Sequence, residues 1–86
     1  MKICFEANAW EDYLFWQRSD KKMQKKINAL IREICKQPFT GIGKPEALKY
    51  DLSGYWSRRI NQEHRLVYRY DTATNIIVIM QCRYHY

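Results

Sequence analysis

The chain has 86 residues, of which 47% are hydrophobic, and its aromatic content of 3 Trp, 7 Tyr and 3 Phe is heavy. That is enough for one small core, so a single domain over residues 1–86 is expected, with no room for separate catalytic and regulatory units and too much apolar content for a disordered chain. Fifteen Lys and Arg against nine Asp and Glu give a net charge of +6, a balance suited to phosphate backbones or to acidic protein partners.

The longest aliphatic run, Ile76 to Met80, falls far short of the roughly 20 residues of a membrane span. Glu6 and Asn8 interrupt the first ten residues before a signal-like stretch develops. A soluble, cytoplasmic protein with no membrane partner is therefore expected. Cys4, Cys35 and Cys82 form an odd set without a CxxC pair or histidines at metal-ligand spacing. They are expected as small buried hydrophobes in a reducing compartment, with no metal and no cofactor.

Lys2 to Phe5 predicts a first strand. Asn8 predicts the N-cap of a helix with a broad aromatic stripe of Trp10, Tyr13, Leu14 and Trp16. Ser19-Asp20 interrupts it, and Asp20 predicts the cap of a second helix. There Met23, Ile27, Leu30, Ile31 and Ile34 recur at helical spacing until Pro38. The opposite side carries Lys21, Lys22, Lys25, Lys26, Arg32 and Lys36, a solvated face first and a nucleic-acid-facing or ribosome-facing stripe second. Thr40 to Pro45 is a loop, and its GxG pair alone is no phosphate loop.

Three strands follow, Tyr55 to Ile60, His64 to Tyr70 and Ile76 to Arg83, joined by turns at Asn61-Gln62-Glu63 and Asp71 to Asn75. The order β-α-α-β-β-β predicts an α+β two-layer sandwich, with two N-terminal helices packed on one face of a small, mainly antiparallel sheet.

Arg58, Arg59, Arg65, Arg69 and Arg83 fall in these strands, interleaved with Tyr55, Trp56, Tyr68 and Tyr84. Alternation puts Arg65, Val67 and Arg69 on one side and His64, Leu66, Tyr68 and Tyr70 on the other. With helices on the second side, the first is open. An arginine-lined face with aromatic platforms suits single-stranded RNA, yet charge and alternation alone do not separate this from a plain solvated face.

Metal-free RNA cleavage by the 2′-oxygen needs a base, cations on the phosphate and an acid for the departing 5′-oxygen. Glu46, between Lys44 and Lys49, could be a base held ionised by those cations, or an ordinary surface carboxylate. Arg65 and Arg59 could hold phosphate oxygens in a planar fork. His85 suits the acid, with a reference pKa of about 6.5, and the plainer alternative is a frayed terminal residue. His64 shares its side with Leu66 and Tyr68 and reads as a partly buried or turn histidine. Ser53 and Ser57 lack a nucleophile elbow, which disfavours an acyl hydrolase.

These residues lie in Gly43-Lys44-Pro45-Glu46-Ala47-Leu48-Lys49, Leu52-Ser53-Gly54-Tyr55-Trp56-Ser57-Arg58-Arg59-Ile60, Glu63-His64-Arg65-Leu66-Val67-Tyr68 and Cys82-Arg83-Tyr84-His85-Tyr86. Together the four stretches resemble the YoeB/Txe toxins of the RelE superfamily. Trp10-Glu11-Asp12-Tyr13-Leu14 and the Lys-rich helix before Pro38-Phe39 extend the likeness over essentially the whole chain. Departures at Cys4, Cys35 and Ile42 touch packing or loop shape.

The resemblance implies a RelE-like fold and a bacterial type II toxin that cleaves messenger RNA in the ribosomal A site. It implies a YefM/Axe-like antitoxin as partner, together with ribosome and mRNA, and a homodimer. It assigns Glu46 as general base, Arg65 as the phosphate-stabilising cation and His85 as general acid, with Lys49, Arg59 and Tyr86 binding RNA. Two rival classes stand beside it. A ParE-like gyrase inhibitor would not need Glu46, Arg65 and His85, and a non-catalytic RNA-binding module has no use for a carboxylate that repels phosphate.

Overall fold

The structure, a computed structural model, describes residues 1–85. Strand β1, Lys2–Phe5, leads directly into helix α1, Ala7–Ser19. Asn8 lies inside this helix and does not cap it. The cap position is Glu6, which makes no side-chain cap bond. Its N–H is already given to the Ile79 carbonyl at 2.9 Å, so sheet pairing rather than capping chemistry sets where α1 begins. Of the expected aromatic stripe only Trp16 is buried, two turns from buried Ala9, while Trp10 is 46% exposed.

Asp20 closes α1 and opens helix α2, Lys21–Lys36. Its N–H reaches the Trp16 carbonyl, and its Oδ1 accepts from the N–H groups of Lys22 at 3.1 Å and Met23 at 3.3 Å, a cap worth about 1 kcal/mol. Met23, Ile27, Leu30, Ile31 and Ile34 are the buried stripe of α2. Pro38 follows directly on the C-cap residue Gln37, because a proline ring cannot continue the hydrogen-bond ladder.

The sheet has five strands, one more than the sequence predicts. They are β1, β2 (Glu46–Ala47), β3 (Trp56–Arg59), β4 (Arg65–Asp71) and β5 (Ile76–Gln81), in the spatial order β1-β5-β4-β3-β2. β1 runs parallel to β5 and every other pair is antiparallel. Both helices cover one face, where Ile27, Leu30 and Ile34 share a core with Leu66, Tyr68, Ile77 and Ile79. The fold is α+β with helices on one side of a mainly antiparallel sheet. Among the described residues no helix is long and apolar enough to cross a membrane.

Two expectations about faces fail. Arg58 is fully buried, because it shares its strand parity with Trp56 and Ile60 and so points toward the helices. Its guanidinium donates to Tyr68 Oη at 3.1 Å and to the carbonyls of Ile42 at 3.0 Å, Gln37 at 2.6 Å and Thr40 at 2.8 Å. It is the internal tie of the loop after α2. Trp56 packs against the core and is no aromatic platform on the open face, while Tyr68 lies within the core on the covered side that alternation gave it. Arg83 lies beyond the end of β5. The cysteines also divide: Cys82 is buried, Cys35 half-buried and Cys4 exposed, since Cys4 stands on the face the helices do not cover, opposite Val78.

Candidate active site

The open face is laid out by strand register. Glu46 pairs with Ser57, Ser57 with Val67, and Val67 with Gln81, and the next row pairs Arg59 with Arg65. Directly paired residues share a face, as do residues two apart on one strand. Glu46, Arg59 and Arg65 therefore rise from the same side. Strands about 4.8 Å apart and about 6.8 Å per two residues put the Cα atoms of Glu46 and Arg65 about 12 Å apart, a span that side chains of this length can close around one phosphodiester. Between them Ser57 and Val67 form a buried floor, while Glu46 and Arg59 stand exposed.

Lys49 is exposed one residue past Leu48, whose N–H bonds the Tyr55 carbonyl just before β3, 2.9 Å away. It opens the 3-10 turn Tyr50–Leu52 and stands outside the rows that hold the other three.

Arg65 is half fixed. Its Nη1 donates to the carbonyls of Asn61 at 2.6 Å, His64 at 3.1 Å and Gln62 at 3.3 Å. This anchors one end of the guanidinium in the β3–β4 turn and leaves Nη2 and Nε without a hydrogen bond to the described residues. No carboxylate among those residues lies within ion-pair distance of Arg59 or Arg65, so their charge is available to an anion.

His85 is exposed but not frayed. Its Nε2 lies 3.2 Å from the Gln62 carbonyl, the same oxygen that Arg65 reaches, which sets the two side chains against one another. A carbonyl only accepts, so Nε2 carries a proton there. The tail is secured residue by residue. Cys82 donates its N–H to Asp12 Oδ2 at 3.1 Å, and its carbonyl accepts from Trp16 Nε1 at 2.8 Å. The Arg83 guanidinium sits 3.5 Å from the Phe15 ring centroid. Gln81 Nε2 reaches the carbonyls of Arg83 at 3.1 Å and His85 at 3.2 Å. Tyr84 adopts a left-handed φ of 65°, a conformation that costs a non-glycine residue on the order of 1–3 kcal/mol.

Two titrations follow from this packing. Burial raises the Asp12 pKa above its ordinary value, opposed by the Cys82 N–H and by the charge of Arg83. Burial, with the Asp12 carboxylate beside it, pushes the Cys82 thiol up to about 12. Cys82 is therefore an inert core residue rather than a nucleophile.

Tyr86, the remaining predicted site residue, lies outside the described residues. Strand register sets Glu46, Arg59 and Arg65 on one face, His85 meets Arg65 at the Gln62 carbonyl of the β3–β4 turn, and Lys49 stands at the margin.

The family model of a YoeB-like toxin of bacterial type II toxin-antitoxin systems matches residues 5–86. The chain belongs to the YoeB-like toxin family. It is 58% identical to Toxin YoeB of Synechocystis sp. over 86 residues, all of this chain and 98% of that one. In three dimensions it is similar to a YoeB/ParE toxin from Agrobacterium tumefaciens, with 52% identity, complete coverage of both chains and a TM-score of 0.97. It is also similar to YoeB in a heterotetrameric YoeB-YefM complex from Staphylococcus aureus, with 54% identity, a TM-score of 0.91, and coverage of 100% of this chain and 98% of that one.

For a YoeB-like toxin the positions that sequence reasoning overlooked are those that hold the tail: Asp12, Trp16, Gln62 and Gln81, with His64 noted only as buried. Parity was the one signal available, since it turned His64 inward. Nothing local marks Asp12 or Trp16 as partners of a residue 70 or 66 positions away.

Proposed function

We propose that this YoeB-like toxin is a ribosome-dependent endoribonuclease that cuts messenger RNA in the A site by attack of the 2′-hydroxyl. The observation that carries the reading is the gathering of a carboxylate, two arginines and a histidine around one short stretch of open sheet. Glu46 takes the 2′-hydroxyl proton, and the 2′-oxygen attacks the adjacent phosphorus. The free Nη2 and Nε edge of Arg65, with Arg59, neutralises the non-bridging oxygens as charge builds. His85, as the imidazolium, gives its Nε2 proton to the departing 5′-oxygen and becomes neutral imidazole, leaving a 2′,3′-cyclic phosphate and a 5′-hydroxyl. Both proton transfers are carried by side chains, so the step uses no metal and no cofactor. Lys49 and Tyr86 complete the RNA contacts.

Dependence on the ribosome has a physical motive. Glu46 and Arg59 stand on an uncovered face, with no second wall among the described residues to fix the sugar in line with the phosphate, and the decoding site supplies that wall. The chain acts in the cytoplasm as one domain over residues 1–86. It pairs as a homodimer and is held inactive by a YefM/Axe-like antitoxin, in keeping with the YoeB dimer and the YoeB-YefM heterotetramer of Staphylococcus aureus.

The test is single-turnover cleavage of a defined message on programmed ribosomes. Glu46→Gln and His85→Gln are each expected to slow cleavage by about 10²- to 10⁴-fold with ribosome binding intact, and Arg65→Met to fall at least as far. Wild-type rates in these variants would overturn the assignment.

A further inference from the structure

His64 is not required by the mechanism above, yet its ring is spent on the tail. The Tyr84 N–H points at His64 Nδ1 at 2.7 Å, and the Tyr84 carbonyl accepts from the Arg65 N–H at 3.0 Å. Tyr84 is thus gripped on both sides in its left-handed conformation, and this bend returns His85 to the Gln62 carbonyl. A backbone N–H only donates, so His64 Nδ1 must be the bare, accepting nitrogen and the ring proton must sit on Nε2.

His64 is 7% exposed and its ring meets Trp16 edge-to-face at 4.8 Å, which prevents it from turning away. We propose that His64 is a positioning residue: in its neutral form it holds the Tyr84 bend and thereby places His85. The proposal rests on the ribonuclease reading for its catalytic consequence, and its structural half stands apart from that reading.

A donor at the Nδ1 position would face the Tyr84 N–H donor and the bend would lose its anchor, so the accepting nitrogen is what holds the tail. The ring's other neighbours are Glu63 Oε1 at 3.5 Å from Nε2 and the Trp16 and Tyr84 rings.

Two variants separate the acceptor from the packing. His64→Phe keeps a ring against Trp16 and removes the acceptor. His64→Asn gives up ring packing but sets an accepting Oδ1 where Nδ1 stood. In the free protein, amide exchange at Tyr84 is expected to speed up by about tenfold or more in His64→Phe and to stay near wild type in His64→Asn. On programmed ribosomes His64→Phe is expected to lose about tenfold in kcat with KM little changed, the equivalent of one hydrogen bond, and His64→Asn to keep most of it.

Slow Tyr84 exchange and full kcat in His64→Phe would overturn the proposal. So would equal damage in both variants, which would reduce His64 to packing. A freed tail with undiminished kcat would remove the catalytic consequence. If wild-type protein cut no message while the exchange pattern held, the ribonuclease reading would fail and the anchor would stand.

Discussion

Truncation of Arg58 tests whether the loop before the site is held from within. The guanidinium is fully buried and makes four hydrogen bonds, three of them to carbonyls of residues 37, 40 and 42. Bonds from a charged donor are worth about 1.5–3 kcal/mol each, but taking the cation out of water costs several kcal/mol in return. The loop carbonyls lie near the surface and partly recover water when the side chain is lost. The net loss expected for Arg58→Leu is therefore about 3–5 kcal/mol, close to that for breaking a buried charge pair. At about 5 °C per kcal/mol for a chain of this size, the melting temperature falls by about 15–25 °C.

That is a large share of the roughly 4–13 kcal/mol a chain of this length commands, so Arg58→Lys serves as the milder arm. A single ammonium keeps the charge but cannot span Tyr68 Oη and the Gln37 and Ile42 carbonyls together, and it should lose about 2 kcal/mol. Tyr68→Phe removes both the acceptor for Arg58 Nε and the donor to the Pro38 carbonyl, so its effect should combine non-additively with Arg58→Lys in a double-mutant cycle. Urea unfolding followed by tryptophan fluorescence reads all four variants against wild type. Arg58→Leu within about 1 kcal/mol of wild type would refute the reasoning.

Other consequences are simpler to check. The Cys82 thiol, raised from 9.0 to about 12, keeps its proton in the folded chain where the unfolded chain releases it. Its contribution is whole below about pH 9 and is lost as pH rises toward 12, a slope that Cys82→Ala should flatten in denaturation curves. Iodoacetamide at pH 8 should modify exposed Cys4 quickly and spare Cys82 until the protein unfolds. For Asp12 the raised pKa means that stability declines as pH climbs from 3.8 through the folded value. Asp12→Asn keeps an acceptor for the Cys82 N–H and should be as stable as wild type or more so at neutral pH, whereas Asp12→Leu should lose about 1–3 kcal/mol. A message with 2′-deoxyribose at the cut nucleotide should resist cleavage completely, and efficient cutting of it would exclude 2′-oxygen attack.

What could be read from the sequence was mostly what is locally encoded. The stripe from Met23 to Ile34, the Asp20 cap and the Pro38 stop depend on neighbours within four residues, so α2 was legible almost to its ends. β2 was not, because two residues carry no period. It exists only because Ala47 and Glu46 meet Trp56 and Ser57. Arg58 shows a signal present but outweighed: parity with Trp56 and Ile60 pointed inward, while its charge and the run of arginines around it pointed out. The loop carbonyls that solvate it lie 16 to 21 residues away in sequence and have no pattern of their own.

The site divides in the same way. Arg59 and Arg65 come to one face through strand alternation, which the sequence displays, and Glu46 joins them only through the pairing of β2 with β3. His85 reaches them through contacts that span the chain, from α1 to the last strand and from the β3–β4 turn to the tail. Its position is a property of the whole fold, so a substitution on α1, such as Trp16→Phe with loss of the 2.8 Å bond to the Cys82 carbonyl, acts on the proposed acid without touching RNA. Loss of activity by that route should appear in kcat and vanish from KM, which distinguishes a misplaced tail from a damaged binding face.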